Sequence, residues 1–298
     1  MDSGSIVPAQ PVDHPKAQAI YNSVVSAAGC STAADTLACL RALPYTVLHN
    51  AMNSVPGIFS YRSLDLSYLP RPDPSDNFFP TSPDVAVANG DFTKVPVIIG
   101  DQEDEGTLFS LTQANITTTD QLTQYITSYF PDATRAQIAS LVATYPDDPA
   151  AGSPFNTGSL NEIYPQFKRL AAILGDLTFT LTRRGYLSRV SSQVPSWSYL
   201  SSYLHGTPIL GTFHASDLLE AYFNLPSVTA ATSIQTFYIS FINSLDPNII
   251  PQLLPWPRYD TLTQSLYNFQ AATNVIIQDN FRQSSYEALR SNQPSLKI

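Results

Sequence analysis

Val95-Pro-Val-Ile-Ile-Gly100 is a continuous apolar run of the kind that lies inside a parallel sheet, covered on both faces. Such a strand needs hydrogen-bonding neighbours on both sides, and the chain offers few. Ser196-Trp-Ser-Tyr-Leu-Ser201 alternates and reads as a second strand, and a weaker third lies near Asn274–Gln278. Two or three strands do not make a self-sufficient sheet. A chain of 298 residues built this way is either mostly helical or lacks most of its sheet.

Helical periodicity is common. His14–Ala28 places Ile20, Val24 and Ala28 on one stripe, and Thr32–Leu43 does so with Leu37, Leu40 and Leu43. Asp132 is placed to cap a helix carrying Ile138, Leu141, Val142 and Tyr145. The longest pattern spans Tyr164–Arg189, with Gly175 thinning its middle. Ser216–Phe223, Thr232–Leu245 and Arg282–Arg290 also read as helices. Tyr68–Val85, with five prolines, reads as a long extended connection.

The net charge is −9 and charged residues are only 13%, against about 25% in typical domains. A phosphate backbone would be repelled, and no basic run of five exists, so nucleic acid is excluded as a partner. No stretch approaches the roughly 20 apolar residues of a membrane helix. The opening MDSGSIVPAQ has neither the basic start nor the apolar core of a signal peptide. Cys30 and Cys39 lie nine positions apart. They read either as a short disulfide, contributing about 2–3 kcal/mol and suiting an oxidising compartment, or as two separate buried thiols. With His14, His49, His205 and His214 widely scattered, no metal spacing is present, and no cofactor is implied.

Two segments carry candidate chemistry. The Val95 run empties into a loop holding Asp101, Glu103, Asp104 and Glu105; such a loop is either a solvated acidic turn or the source of a carboxylate that orients a histidine. Pro208-Ile-Leu-Gly-Thr-Phe-His214 ends in a histidine, the usual general base near neutral pH; the plainer reading is a structural histidine. His205 is a rival with no acidic residue close to it in sequence. Acid before histidine is the order found in α/β-hydrolases, whose serine precedes both. The nucleophile motif Gly-x-Ser-x-Gly needs glycines four positions apart. None of the twelve glycines are so spaced, and no Gly-Gly dipeptide is available for an oxyanion loop.

Val95–Phe109 resembles the catalytic-acid segment of fungal type-B carboxylesterases, the Candida rugosa and Geotrichum lipase group, and Ile209–Asp217 resembles its catalytic-histidine segment. Ala28–Arg41, Ser67–Pro72, Gly152–Gly158, Pro165–Arg169 and Leu245–Asn248 agree in order, so the resemblance covers essentially the whole chain. It implies the C-terminal part of an α/β-hydrolase fold, helix-rich, with few strands of an incomplete central sheet, residues 1–298 forming one partial domain. It implies that Glu105 is the catalytic acid, His214 the base, Phe109 an acyl-side residue, Cys30–Cys39 a disulfide, and Asn115 of Asn-Ile-Thr117 a glycosylation site. Asp2-Ser3-Gly4 resembles a point past the family's serine elbow, so nucleophile, oxyanion loop, lid and signal peptide are expected upstream of Met1.

The expected function is therefore that of a carboxylic-ester hydrolase, extracellular in its full-length relative and acting there on an ester or lipid, with this chain holding acid and base but no nucleophile. The alternative is a non-catalytic binding protein of the same fold. Strands left without neighbours would expose a sheet edge, through which the chain could self-associate.

Overall fold

The computed structural model describes residues 1–251 and 253–298. Helices α1 (Pro15–Ala27), α2 (Thr36–Ala42), α3 (Tyr45–Met52) and α4 (Pro83–Ala88) precede strand β1 (Val97–Gln102). Helices α5 (Thr119–Thr127), α6 (Arg135–Val142), α7 (Phe167–Gly175) and α8 (Leu181–Val190) follow, then β2 (Ser196–Ser201), α9 (Asp217–Phe223), α10 (Thr229–Ser244), the hairpin of β3 (Ser265–Phe269) and β4 (Val275–Gln278), and α11 (Gln283–Asn292). The strands form one mixed sheet in the order β1-β2-β3-β4, parallel except for the β3–β4 pair.

The expected strands are present, with two adjustments. β1 starts after Pro96, which has no N–H for a ladder, and runs on through Asp101 and Gln102. Its outer edge is not bare. Met1 N donates to the Ile98 carbonyl (2.6 Å), Gly100 N to the Met1 carbonyl (3.1 Å) and Ser3 N to the Gly100 carbonyl (2.9 Å). The C-terminus returns to the same region: Ile298 N donates to the Pro8 carbonyl and Gln10 N to the Ile298 carbonyl. On one face of the sheet, Trp197, Tyr199, Tyr267 and Phe269 pack with Trp256 and with Phe237 of α10. A second core joins α5–α7 to Phe109 and Phe179. Cys30 and Cys39 are disulfide-bonded within the small α1–α3 layer.

The single long helix read over Tyr164–Arg189 needs correction. It begins at Phe167, after Gln166 in a left-handed conformation, and Asp176–Thr180 form a π-helical segment between α7 and α8. The wider turn aims Asp176, Phe179 and Thr180 inward. Asp132 does not cap α6. Thr134 does, because it forms a complete capping box with Gln137, while Asp132 accepts from Gln10 Nε2 (2.6 Å). The extended connection after Tyr68 ends earlier than read, because Pro83 opens α4.

Buried ion pairs fasten α8 across the sheet. Arg183 donates to Asp101 (2.5 Å) and to both oxygens of Asp279 (2.8 and 3.0 Å), and also to Ser198 Oγ of β2 (3.0 Å). Arg184 adds two bonds to Asp279, and Thr180 donates to Asp101. For Asp279, burial works against ionisation, but Arg183 and Arg184 together hold it below the usual carboxylate range. Asp101 has one arginine, and burial outweighs it, pushing the carboxyl up to about 6. Removing one partner of a buried pair strands a charge. Arg183→Met is therefore expected to destabilise the chain by about 3–5 kcal/mol, read as the drop in the urea unfolding free energy.

Candidate active site

β1 delivers the acidic loop directly. Along its outer edge, Ile98 and Gly100 pair with residues 1–3, and the next N–H on that edge, that of Gln102, donates to Glu105 Oε1 (2.7 Å). The Glu105 carboxylate thus occupies the place of the next strand. Ser3 Oγ donates to the same oxygen (2.5 Å). The other oxygen, Oε2, lies 2.6 Å from His214 Nδ1. The carboxylate side chain is fully buried and that of His214 is 27% exposed. With the carboxylate as acceptor, Nδ1 carries the proton and Nε2 is left as a lone-pair acceptor. Among the described residues nothing hydrogen-bonds Nε2, so this histidine has the free nitrogen that a general base requires.

Asp104 holds the two loops together. Its backbone N–H donates to the Thr212 carbonyl (3.0 Å), and its carboxylate accepts from Thr212 N (2.9 Å), Ser153 Oγ (2.8 Å) and Phe155 N (2.9 Å). Thr107 Oγ1 adds a bond to the Leu210 carbonyl (2.8 Å). Two glycines permit this closeness. A Cβ at Gly106 would stand 1.9 Å from the Ala171 carbonyl oxygen of α7. A Cβ at Gly211, whose φ is +58°, would stand 2.1 Å from Asp104 Oδ2.

Aromatic rings flank the imidazole. Phe109 and Phe179 each have their centroid 5.0 Å from that of His214, and Phe59 stacks on Phe109 at 6.4 Å from an exposed position. For His214, burial opposes protonation, but the Glu105 hydrogen bond and charge, with a contribution from Asp217, raise it above the ordinary value. Asp217 is itself pushed up to about 6 by burial, reinforced by Asp2 and Glu105 and opposed by His214.

The sequence candidates come together unevenly. Glu105, Phe109 and His214 form one cluster. The acidic loop is no solvated turn, since Asp101, Asp104 and Glu105 are buried. His205 does have an acidic neighbour, contrary to its sequence setting: Glu103 Oε2 lies 3.7 Å from its Nδ1, brought there by the β1–β2 register. That distance is beyond a hydrogen bond, and His205 is exposed. Asn115 is exposed and donates to Tyr61 OH (3.0 Å). Among the described residues no group of three or more His, Cys, Asp or Glu could hold a metal. Sequence reasoning missed Ser3, Phe179 and the tying role of Asp104. Ser3 lies 102 positions from Glu105, Phe179 sits within a helical pattern, and Asp104 is one of four similar acids.

Because the folded imidazole binds its proton more tightly than an unfolded one, the associated stability is fully present below pH 6.5 and lost as pH rises through the raised folded value. Glu105→Gln is expected to lower the His214 titration midpoint and flatten that window, as followed by NMR titration of the imidazole and thermal unfolding against pH.

The sequence profile of the carboxylesterase family matches residues 1–289. The chain is 54% identical over its whole length to a secreted lipase of Botryotinia fuckeliana, covering 52% of that protein. It is 52% identical, again over its whole length, to a secreted triacylglycerol lipase of Gibberella zeae, covering 51% of it. Its fold is similar to that of the Aspergillus niger protein EstA, with a TM-score of 0.79 at 19% identity, over all of this chain and 58% of the other. The chain thus spans about half the length of the curated relatives it matches.

Proposed function

This chain belongs to the carboxylesterase family, with a helix-rich α/β-hydrolase fold and a small mixed sheet, and on that premise we propose that it supplies the acid and base of a serine esterase whose nucleophile lies outside these 298 residues. The observation that carries the reading is the 2.6 Å contact between buried Glu105 and His214 Nδ1, with Nε2 left free. Nε2 takes the proton of an attacking serine hydroxyl and later gives it to the leaving alkoxide. Glu105 holds the required tautomer and stabilises the imidazolium that forms. The rings of Phe109, Phe179 and Phe59 offer an apolar wall beside the reacting position, suited to the acyl chain of an uncharged lipid ester.

Residues 1–298 act in this reading as one partial domain of a secreted enzyme. The disulfide and the exposed Asn-Ile-Thr sequon at Asn115 fit an extracellular glycoprotein. Self-association is assigned to the edge at β4, the last strand of the sheet, since residues 1–3 lie along the other edge.

Nucleophile loss costs on the order of 10⁶ in turnover in one well-studied serine hydrolase. The purified 298-residue chain is therefore expected to hydrolyse p-nitrophenyl esters no faster than buffer. The same chain, extended by the translated upstream transcript, is expected to do so and to lose the activity with His214→Ala. Hydrolysis by the short chain that depends on His214, or none by the extended one, would overturn the reading, the latter in favour of a binding role.

A further inference from the structure

Behind the His214 loop, the carboxyl ends of β1 and β2 meet the first turn of α9 through four buried side chains: Gln102, Ser201, Ser216 and Glu220. Gln102 and Ser201 are register partners in the β1–β2 pair. Ser216, at the α9 N-cap, and Glu220 lie four residues apart and so share one helix face. Ser216 Oγ donates to Gln102 Oε1 (3.3 Å), and Ser201 Oγ donates to Glu220 Oε2 (3.3 Å). The four therefore close a ring, with strand register along one side, a helical turn opposite, and hydrogen bonds along the other two.

Two atoms of this ring are buried without partners: Gln102 Nε2, a donor, and Glu220 Oε1, an acceptor. Such atoms are rare in folded interiors because each has given up water for nothing in return. Here one is a donor and the other an acceptor, on two residues of the same ring, the complementary pair that a single bridging water would satisfy. The hydrolytic mechanism above makes no use of Glu220.

We propose that Glu220 is a positioning residue for His214: its carboxyl joins Ser201 and the Gln102 amide, clamping α9, and with it the loop that carries His214, to the ends of β1 and β2. The proposal rests on the reading of His214 as the base and adds a residue that fixes where that base stands. The titratable groups facing Glu220 are Asp217 on its own helix and Tyr203, whose hydroxyl donates to the Ser216 carbonyl (2.7 Å). From α10, Gln235 Nε2 donates to the Glu220 backbone carbonyl (3.2 Å), and that helix carries no charged residue. β1 and β2 present neutral Gln102 and Ser201. No cation pairs with Glu220 among the described residues. Burial, opposed by the Ser201 hydrogen bond and reinforced by Asp217, pushes Glu220 up to about 8. At neutral pH the clamp is thus a protonated acid and buries no charge. Its folded value lies above the ordinary 4.5, so its contribution is fully present below pH 4.5 and is lost as pH rises through about 8.

The test uses the 298-residue chain and needs no turnover. It follows solvent exchange of the His214 Nδ1 proton by NMR, which reports opening of the Glu105–His214 contact. Glu220→Ala is expected to speed that exchange about tenfold at pH 7 by favouring local opening. Glu220→Gln, which keeps the shape without the titration, is expected to match wild type at pH 7 and to keep slow exchange at pH 9, where wild type loses it. Wild-type exchange in Glu220→Ala, or the same alkaline loss in Glu220→Gln as in wild type, overturns the proposal. If Glu220→Ala does not fold, the pH 9 comparison of Glu220→Gln with wild type decides alone. Failure of ester hydrolysis in the extended chain would sink the enzymatic reading and leave these exchange results standing.

Discussion

Arg183 lies against the sheet with its guanidinium between Asp101 near the end of β1 and Asp279 just past the end of β4, touching Ser198 of β2 between them. A small mixed sheet has little of its own to fix the spacing of its outer strands. A rigid planar fork with five donors supplies that spacing, and arginine does so better than lysine because its geometry is set in advance. Isolated ions would not survive in this interior; each is tolerable because its partners meet it with several bonds. The π-helical segment before α8 belongs to the same arrangement, since it turns Thr180 onto Asp101 and Phe179 onto His214.

From that anchor the site follows by short covalent distances. Asp101 is fixed from below, and Gln102 ends the strand with an N–H that no strand claims. Glu105 accepts it, and a carboxylate so held can present only its second oxygen outward, to His214. Asp104, between Gln102 and Glu105 in sequence, grips the same histidine loop through Thr212. A cluster of carboxylates in a chain of net charge −9 is folded inward because each member has a separate set of donors.

Much of this was legible in the sequence, and the failures have physical reasons. β1 reads clearly because a strand covered on both faces is apolar throughout. β2 was found by its alternation, yet all six residues are buried. The alternation separates two interiors: Ser198 turns to Arg183, while Trp197 and Tyr199 turn to the aromatic core. β3 escaped because Asn268 interrupts it, a polar residue made tolerable by bonds to the Leu200 carbonyl and Ser202 that belong to the fold. Glu105 was singled out by resemblance; composition alone could not rank it above Asp104. The π segment, and the choice of Thr134 over Asp132 as cap, were settled by competition among local hydrogen bonds that periodicity does not register.

Residues 1–3 line β1, and Ser3 touches Glu105 across 102 positions of sequence, while Glu105 meets His214 across another 109. Contacts so distant along the chain close large loops before any bond rewards them, so they form late and slowly. During synthesis residues 1–3 must wait, unpaired, until β1 and then the histidine loop have emerged. Helices α1–α3, with their own small core and disulfide, can settle meanwhile because their contacts are local. Assembly thus runs from the periphery inward: the α1–α3 layer is complete first, and the contact between Glu105 and His214 is among the last to form.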